Sequence, residues 1–301
     1  MSLKIIDRAC PFCFQQDKNS NLEISSKVEY STLTESELRT IWDNVFNRKF
    51  FFSYFRCECG GLYNKEYFSI KSLKELYSRM KENIHTGDKN LDIKTKIHYI
   101  SILSQHGSFN NVLEIGPDNG SLAENLIKQK VVKSIDFVEP NIAMHSNLKK
   151  ISKNPIFKNI YEIDDNIKYD LVIGIHVLDH IPDIKNYVLK IDSLLNAEGA
   201  IFGVVHDEKS LLARILASRW PAYLIWHPHL FNTNSIRSFF KNVGFKKIFI
   251  KKTLNYFNVS YLLEHLIRAL FKKELKIFPL FTLSLKLGNF AFMFKKNQIM
   301  R

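Results

Sequence analysis

"VLEIGPDNGSLAENLI", residues 112–127, carries a short apolar strand into a turn and out along a helix. Val112, Leu113 and Ile115 make the strand, Gly116 and Gly120 bound the turn, and Leu122, Ala123, Leu126 and Ile127 share one helical face. Strand–glycine–helix units of this kind are where open α/β sheets bind nucleotides. One position breaks the dinucleotide fingerprint: Asp118 stands where the middle glycine belongs.

Outward from this unit the pattern alternates. Strand-like runs fall at 111–116, 133–139, 155–160, 169–176 and 200–205. The clearest helix covers 183–196, where Ile184, Tyr187, Val188, Ile191, Leu194 and Leu195 form one face and Gly199 is the expected stop. Strands alternating with helices predict a parallel α/β sheet. Two later strands, 245–250 and 289–294, bracket a mixed apolar and basic segment. Upstream, "TESELRTIWDNVF" opens with a capping box, Thr34 and Glu37, and continues as a stripe of Leu38, Ile41, Trp42, Val45 and Phe46. "SLKELYSRMKENI" has the same logic in Leu73, Leu76, Tyr77, Met80 and Ile84; residues 85–90 read as a linker and 91–105 as a further helix.

The broken glycine turn constrains the ligand. A pyrophosphate needs free backbone N–H donors and no nearby negative charge. Pro117 has no N–H, and Asp118 would set a carboxylate beside the phosphates, so a dinucleotide is disfavoured. S-adenosylmethionine has no phosphate and carries an ammonium and a sulfonium, which acidic neighbours suit. Glu114 at the strand end is placed to hold the ammonium. Glu139, in "IDFVEPN", ends the next strand, where an acid accepts ribose hydroxyls. Taken singly, the glycines also read as an ordinary tight turn and Glu139 as a helix-start acid.

"VLEIGPDNG", "FVEPN" and "YDLVIGIHVLDHIPD", in that order and spacing, resemble the class I S-adenosylmethionine-dependent methyltransferases over roughly residues 90–296. The family's turn is E/D-x-G-x-G-x-G; here it lacks the middle glycine, a departure that other members share. The resemblance implies a Rossmann-like α/β sheet, mostly parallel, of seven strands with the last antiparallel. It further implies that Gly116, Asp118 and Gly120 border the methionine pocket, that Glu139 holds the ribose, that Asp164 in "YEIDDN" approaches the adenine amine, and that His176 lies beside the cofactor.

Methyl transfer is an in-line displacement from an activated donor, so the protein mainly aligns the acceptor and removes its proton. Histidine suits that task at neutral pH. "HVLDHIPD" offers His176, Asp179 and His180; "RWPAYLIWHPHLFN" offers His227 and His229 beside Trp220, Tyr223 and Trp226, aromatics that could pack on a sugar or ring. The candidate bases are therefore His180, His227 and His229, with His206 and Asp207 as further ones. The plainer readings are a pocket wall for His180 and a proline-stiffened loop for the other two. No histidine-rich metal motif is visible beside them in the sequence.

All four cysteines fall in the first sixty residues, as "CPFC" (Cys10, Cys13) and "CECGG" (Cys57, Cys59). Two Cys turns separated by a long gap have the composition of a tetrahedral structural zinc site, stapling a module too small to build its own core. Disulfides or buried free thiols are the alternatives. A zinc-ribbon-like module over 1–88 followed by a methyltransferase domain over 89–301, with acceptor-binding insertions at about 207–232 and 253–288, is the expected organisation. Cysteine-module methyltransferases with an "HPHLF" segment resemble enzymes of bacterial surface-polysaccharide or natural-product assembly.

Of the formal charge of +13, +12 lies between Arg237 and Arg301, where 14 Lys and Arg face Glu264 and Glu274. Such an end suits an anionic membrane surface, a phosphorylated acceptor or nucleic acid, or is simply a solvated face. The start of the chain lacks the apolar region of a signal peptide, and "IFPLFTLSLKLGNFAFMF" is interrupted by Pro279, Lys286 and Gly288, so the expectation is a cytoplasmic protein with peripheral membrane contact. The functional expectation is methyl transfer to oxygen or carbon of a small or lipid-linked acceptor, a sugar foremost. RNA methylation is the alternative, weakened because "YDLVIGIH" lacks the Asn/Asp-Pro-Pro-aromatic motif of base N-methylation; a binding protein that keeps the fold is the third reading.

Overall fold

The structure, a computed structural model, describes residues 3–16, 19–44, 50–78, 89–260, 263–264, 267, 281–286 and 288–297. Met80 and Ile84 of the second expected helix, Val45 and Phe46 of the first, residues 85–88 of the linker and half of the insertion at 253–288 lie outside the described residues. So do nearly all of the basic, apolar residues 261–278. No described helix is long and apolar enough to cross a membrane.

The central sheet has seven strands: β1 (Phe109–Ile115), β2 (Val132–Val138), β3 (Ile156–Phe157), β4 (Tyr169–Ile175), β5 (Leu195–His206), β6 (Phe245–Lys252) and β7 (Asn289–Lys296). Their spatial order is β6-β7-β5-β4-β1-β2-β3. All pairings among β1 to β5 are parallel, while β7 runs antiparallel to both β5 and β6. The expected mostly parallel sheet with an antiparallel last strand is present. Because β1 pairs with β2 on one side and β4 on the other, the strand order reverses there, opening a crevice beyond the carboxyl ends.

Among the described residues this domain has the helices α1 (Lys89–Leu103), α2 (Ser121–Lys128), α3 (His145–Ile151), α4 (Ile184–Leu194), α5 (Leu211–Leu216) and α6 (Thr233–Asn242). Tyr99, Ile100 and Leu103 of α1, Leu122, Ala123 and Leu126 of α2 and Leu148 of α3 share one core with one face of the sheet. The other face packs on the predicted stripe of α4 and on Ile236, Phe239 and Phe240 of α6. Two elements differ from expectation. β3 has only two residues before a 3-10 turn at Ile160–Glu162. Gly199 is no helix stop: α4 ends at Leu194 and the chain enters β5 directly, with Gly199 inside the register shift between Leu195 and Ala200.

The amino-terminal part forms a four-stranded antiparallel sheet from Asn21–Ile24, Tyr54–Arg56, Leu62–Asn64 and, at its edge, His229–Leu230. That edge strand belongs to the expected 207–232 insertion, so the two parts of the chain share this sheet. Cys10, Phe12, Cys57 and Tyr63 share a buried cluster with Leu113, Ile184 and Phe231 of the larger domain. The capping box is formed, with Thr34 N donating to Glu37 Oε2 at 2.8 Å and Glu37 N to Thr34 Oγ1 at 3.3 Å.

Two arginines fasten the halves. Arg56 forks onto buried Glu208, just after β5, at 2.7 and 3.0 Å. Arg8 donates to the carbonyl oxygens of Pro182 at 2.8 Å, Pro228 at 2.9 Å and Asn64 at 3.4 Å. Its guanidinium lies 5.6 Å from the Tyr67 ring centroid, and burial pulls its pKa down to about 10. Arg8→Met strands three carbonyls without their donor, so we expect a loss of about 3 kcal/mol, measured as a lower urea midpoint; a shift within error of wild type contradicts this role.

Candidate functional site

The site is built where β1, β2, β4 and β5 end. Gly116 (φ +62°) and Gly120 (φ +78°) both occupy left-handed backbone, and so does Asp118 (φ 53°), where a side chain costs roughly 1 kcal/mol. A Cβ on Gly120 would come within 2.3 Å of Ile151 Cδ1, so this glycine also lets α2 close on α3. Four amides of the turn are engaged within the protein. Gly116 N donates to Val138 O at 2.9 Å, Gly120 N to Pro117 O at 2.9 Å, Ser121 N to Asn119 Oδ1 at 3.0 Å and Asp118 N to Glu139 Oε2 at 3.2 Å. With those donors engaged, the turn offers phosphates little.

Glu114 is 3% exposed and its Oε2 has no hydrogen-bond partner. Burial lifts its pKa from the ordinary 4.5 to about 8; Lys96 opposes the rise, while Glu139 and Asp118 add to it. An unpaired carboxyl oxygen inside a protein is costly unless a cationic ligand completes it. Glu139 is buried too, its pKa raised by desolvation and partly restored by the amides of Asn141 (2.8 Å) and Asp118. Three acids thus ring the turn. Lys96 of α1 answers them, with its ammonium 2.7 Å from Ser121 Oγ and 2.8 Å from Asp92.

Asp164 sits on an exposed turn, where its Oδ1 accepts from Asn166 N at 2.8 Å. His176 ends β4 with φ 53°, half-buried. Around it the structure gathers histidines from distant segments. The His176 and His206 rings stack at 4.4 Å, His206 lies 5.2 Å from His227, and His227 meets His180 edge-on at 4.6 Å. Burial first, then mutual repulsion, lowers their pKa values, to about 4 for His206 and about 3 for His180, so at pH 7 both are neutral.

His176, His180 and His206 are partly open to the crevice, whereas His227 and His229 are buried behind them. His227 donates through Nδ1 to Ala222 O at 2.7 Å, and His229 through Nε2 to Leu178 O at 2.9 Å, which ties the "HPHLF" strand to the loop after β4. Tyr77 OH stands 3.4 Å from His180 Nδ1. Asp207 caps a turn, accepting from Lys209 N at 3.1 Å.

The aromatics are no open platform for a sugar. Trp220 and Tyr223 are each 3% exposed, Tyr223 packs on Tyr54 at 5.1 Å, and Trp226 faces Trp42 at 6.1 Å. They form the core that joins the two halves. Residues missed from the sequence include Lys96, Tyr77 and Asn289, whose amide lies between His206 Nδ1 (2.9 Å) and His176 Nε2 (3.4 Å). A polar residue opening the apolar run "NFAFMF" was the available signal for Asn289.

The four cysteine sulfurs lie within 4.8 Å of one another, with Cys10–Cys59 at 3.6 Å and Cys13–Cys57 at 3.7 Å. Tetrahedral zinc–thiolate bonds of about 2.3 Å require sulfurs about 3.8 Å apart, so the set fits that ion. Gly60 (φ +86°) turns the second pair, and a Cβ on Gly61 would strike the Phe12 ring at 2.1 Å.

Residues 85–248 match the family described as "Methyltransferase domain". A ubiquinone biosynthesis O-methyltransferase of Rickettsia bellii is 28% identical over 154 residues, 49% of this chain and 60% of that protein. The Rickettsia typhi protein of the same name is 26% identical over 154 residues, 49% of this chain and 59% of that one. The match thus spans about three-fifths of the length of these curated relatives. Among solved structures, a chain from the Haloferax volcanii complex of a methyltransferase activator with a methyltransferase shares the fold, at TM-score 0.50, 11% identity and coverage of 70% of this chain and 95% of that chain. The family match runs across more than half of the sequence, from the start of α1 into β6, and includes the acids at β1 and β2 and the histidines at β4 and β5; the chain belongs to the methyltransferase-domain family.

Proposed function

We propose that this protein is an S-adenosylmethionine-dependent methyltransferase acting on a hydroxyl oxygen of a small or lipid-linked acceptor. The observation that carries the reading is Glu114: a buried carboxyl with an unpartnered oxygen at the strand-order reversal, beside a glycine turn whose amides are engaged. A ligand with an ammonium and no phosphate fits that arrangement. In this reading Glu114 takes the ammonium, Lys96 the carboxylate and Glu139 the ribose hydroxyls. When bound, S-adenosylmethionine supplies the activated methyl carbon.

The chain's own work is then alignment and proton removal. His180, neutral and open to the crevice, is the proposed base, with Tyr77 and His227 against its ring. His229 acts as a positioning residue, holding Leu178 through its carbonyl. Oxygen is favoured over carbon because the curated relatives are named O-methyltransferases. A sugar acceptor, raised by the cysteine module and the "HPHLF" segment, stays within this class. The cysteine set is proposed to hold one structural zinc ion.

Three outcomes test this. Glu114 has its folded pKa raised, so its contribution to stability is complete below about pH 4.5 and is lost as pH rises through about 8. Glu114→Gln should therefore raise the melting temperature of the ligand-free protein, more at pH 8 than at pH 5, yet weaken S-adenosylhomocysteine at least tenfold by calorimetry. Wild-type binding at pH 7 should release a proton; equal affinity in the variant would refute the ammonium site. Labelled methyl from S-adenosylmethionine, incubated with a cell extract, should enter small-molecule or solvent-extractable fractions, and His180→Gln should slow this on the order of 10²-fold or more; label in RNA instead points to the other acceptor class. Elemental analysis should find one zinc per chain, lost together with several degrees of melting temperature in Cys13→Ser.

A further inference from the structure

Asp179 is 0% exposed, and its Oδ1 has no hydrogen-bond partner. Its Oδ2 accepts from His206 N at 3.2 Å. Among the described residues no lysine or arginine forms an ion pair with it; the imidazoles of His206 and His176 face it, and His176 Nδ1 lies 3.8 Å from Oδ2 and is itself buried without a partner. His206 donates through Nδ1 to Asn289 Oδ1, which leaves Nε2 with a free lone pair. One donor atom from each of His176, Asp179 and His206 falls within 4.8 Å of the others.

We infer that these three side chains bind a divalent transition-metal ion at the ends of β4 and β5, separate from the cysteine site. Two imidazoles and one carboxylate are a donor set that first-row ions such as Mn²⁺, Fe²⁺, Co²⁺ and Zn²⁺ accept, while two nitrogen donors disfavour Mg²⁺ and Ca²⁺. The Asn289 amide, hydrogen-bonded to His206 Nδ1, orients that ring as an outer partner of a metal-bound histidine does. His176 and His206 are half-buried and Asp179 is fully buried.

Two other roles explain less. A carboxylate present only to cap the His206 amide accounts for Oδ2 but leaves Oδ1 and His176 Nδ1 orphaned. A metal-free Asp–His dyad needs a hydrogen bond from Nδ1, and 3.8 Å is beyond hydrogen-bond reach. An ion satisfies both orphaned atoms together. The cost is small: His176 must carry its proton on Nε2, giving up the weak 3.4 Å contact from Asn289.

The inference goes beyond methyl transfer, and its readout needs no turnover. Untagged, zinc-replete protein is titrated with Mn²⁺ and the free-ion electron paramagnetic resonance signal followed. One Mn²⁺ per chain should be taken up, and the dissociation constant should rise at least tenfold in both Asp179→Asn and His206→Gln, with folding of each checked by its melting curve. Co²⁺ should give d–d bands without a sulfur-to-cobalt charge-transfer band, and His206→Gln should remove them. Absence of Mn²⁺ uptake by wild type, uptake unchanged in both variants, or cobalt bands of thiolate character would each overturn the site. None of these outcomes bears on whether Glu114 holds a cofactor.

Discussion

His229 and Leu230 pair with Leu62 and Tyr63, and this two-residue strand decides where the crevice's histidines stand. It closes the cysteine module's sheet with a piece of the methyltransferase chain. From it His229 reaches Leu178 O, fixing the loop that carries Asp179 and His180, and His227 is set behind His180. Arg8 repeats the connection from the other side, joining the carbonyls of Pro182 and Pro228, one from each loop. A residue from the cysteine module thus holds two loops of the larger domain in register. The module builds the wall of the crevice; it is more than an appendage beside it.

Electrostatics divides that crevice. On the β1–β2 side are Glu114, Glu139 and Asp118, with Lys96 the neighbouring cation that acts on Glu114. On the β4–β5 side is Asp179 amid imidazoles that burial holds neutral. Both sides contain a buried carboxyl oxygen without a partner. Native proteins keep few such atoms, because each forfeits hydration without gaining a bond. Two in one crevice, at the ends of adjacent or near-adjacent strands, mark it as a place that awaits positive charge.

The strands of the sheet were legible because buried parallel strands are short apolar runs, and the glycine turn because left-handed backbone selects glycine. Gly199 misled: a glycine after a helical stripe is usually its stop, but here β5 begins at Leu195 and needs an irregularity, not a cap. Trp220, Tyr223 and Trp226 misled for another reason. An aromatic cluster in one segment has the composition of either a ligand platform or a core, and the partners that decide it, Tyr54 and Trp42, lie over 160 residues earlier. Lys96 could not be found at all from pattern, since a lysine on a helix reads as a solvated one until α1 is docked beside the turn.

The histidines show the same limit from the productive side. His176 and Asp179 are three residues apart, but His206 comes from the next strand and Asn289 from the last. No local motif joins them; parallel pairing of β4 with β5 and antiparallel pairing of β5 with β7 does, placing His206 opposite Asn289 in register. A one-residue slip of β7 would turn Asn289 to the other face of the sheet and leave the His206 imidazole unoriented. The register is held by the alternating apolar run Phe290, Phe292 and Phe294, which fills the core beneath α6. The packing that stabilises the sheet therefore also fixes the chemistry at its end.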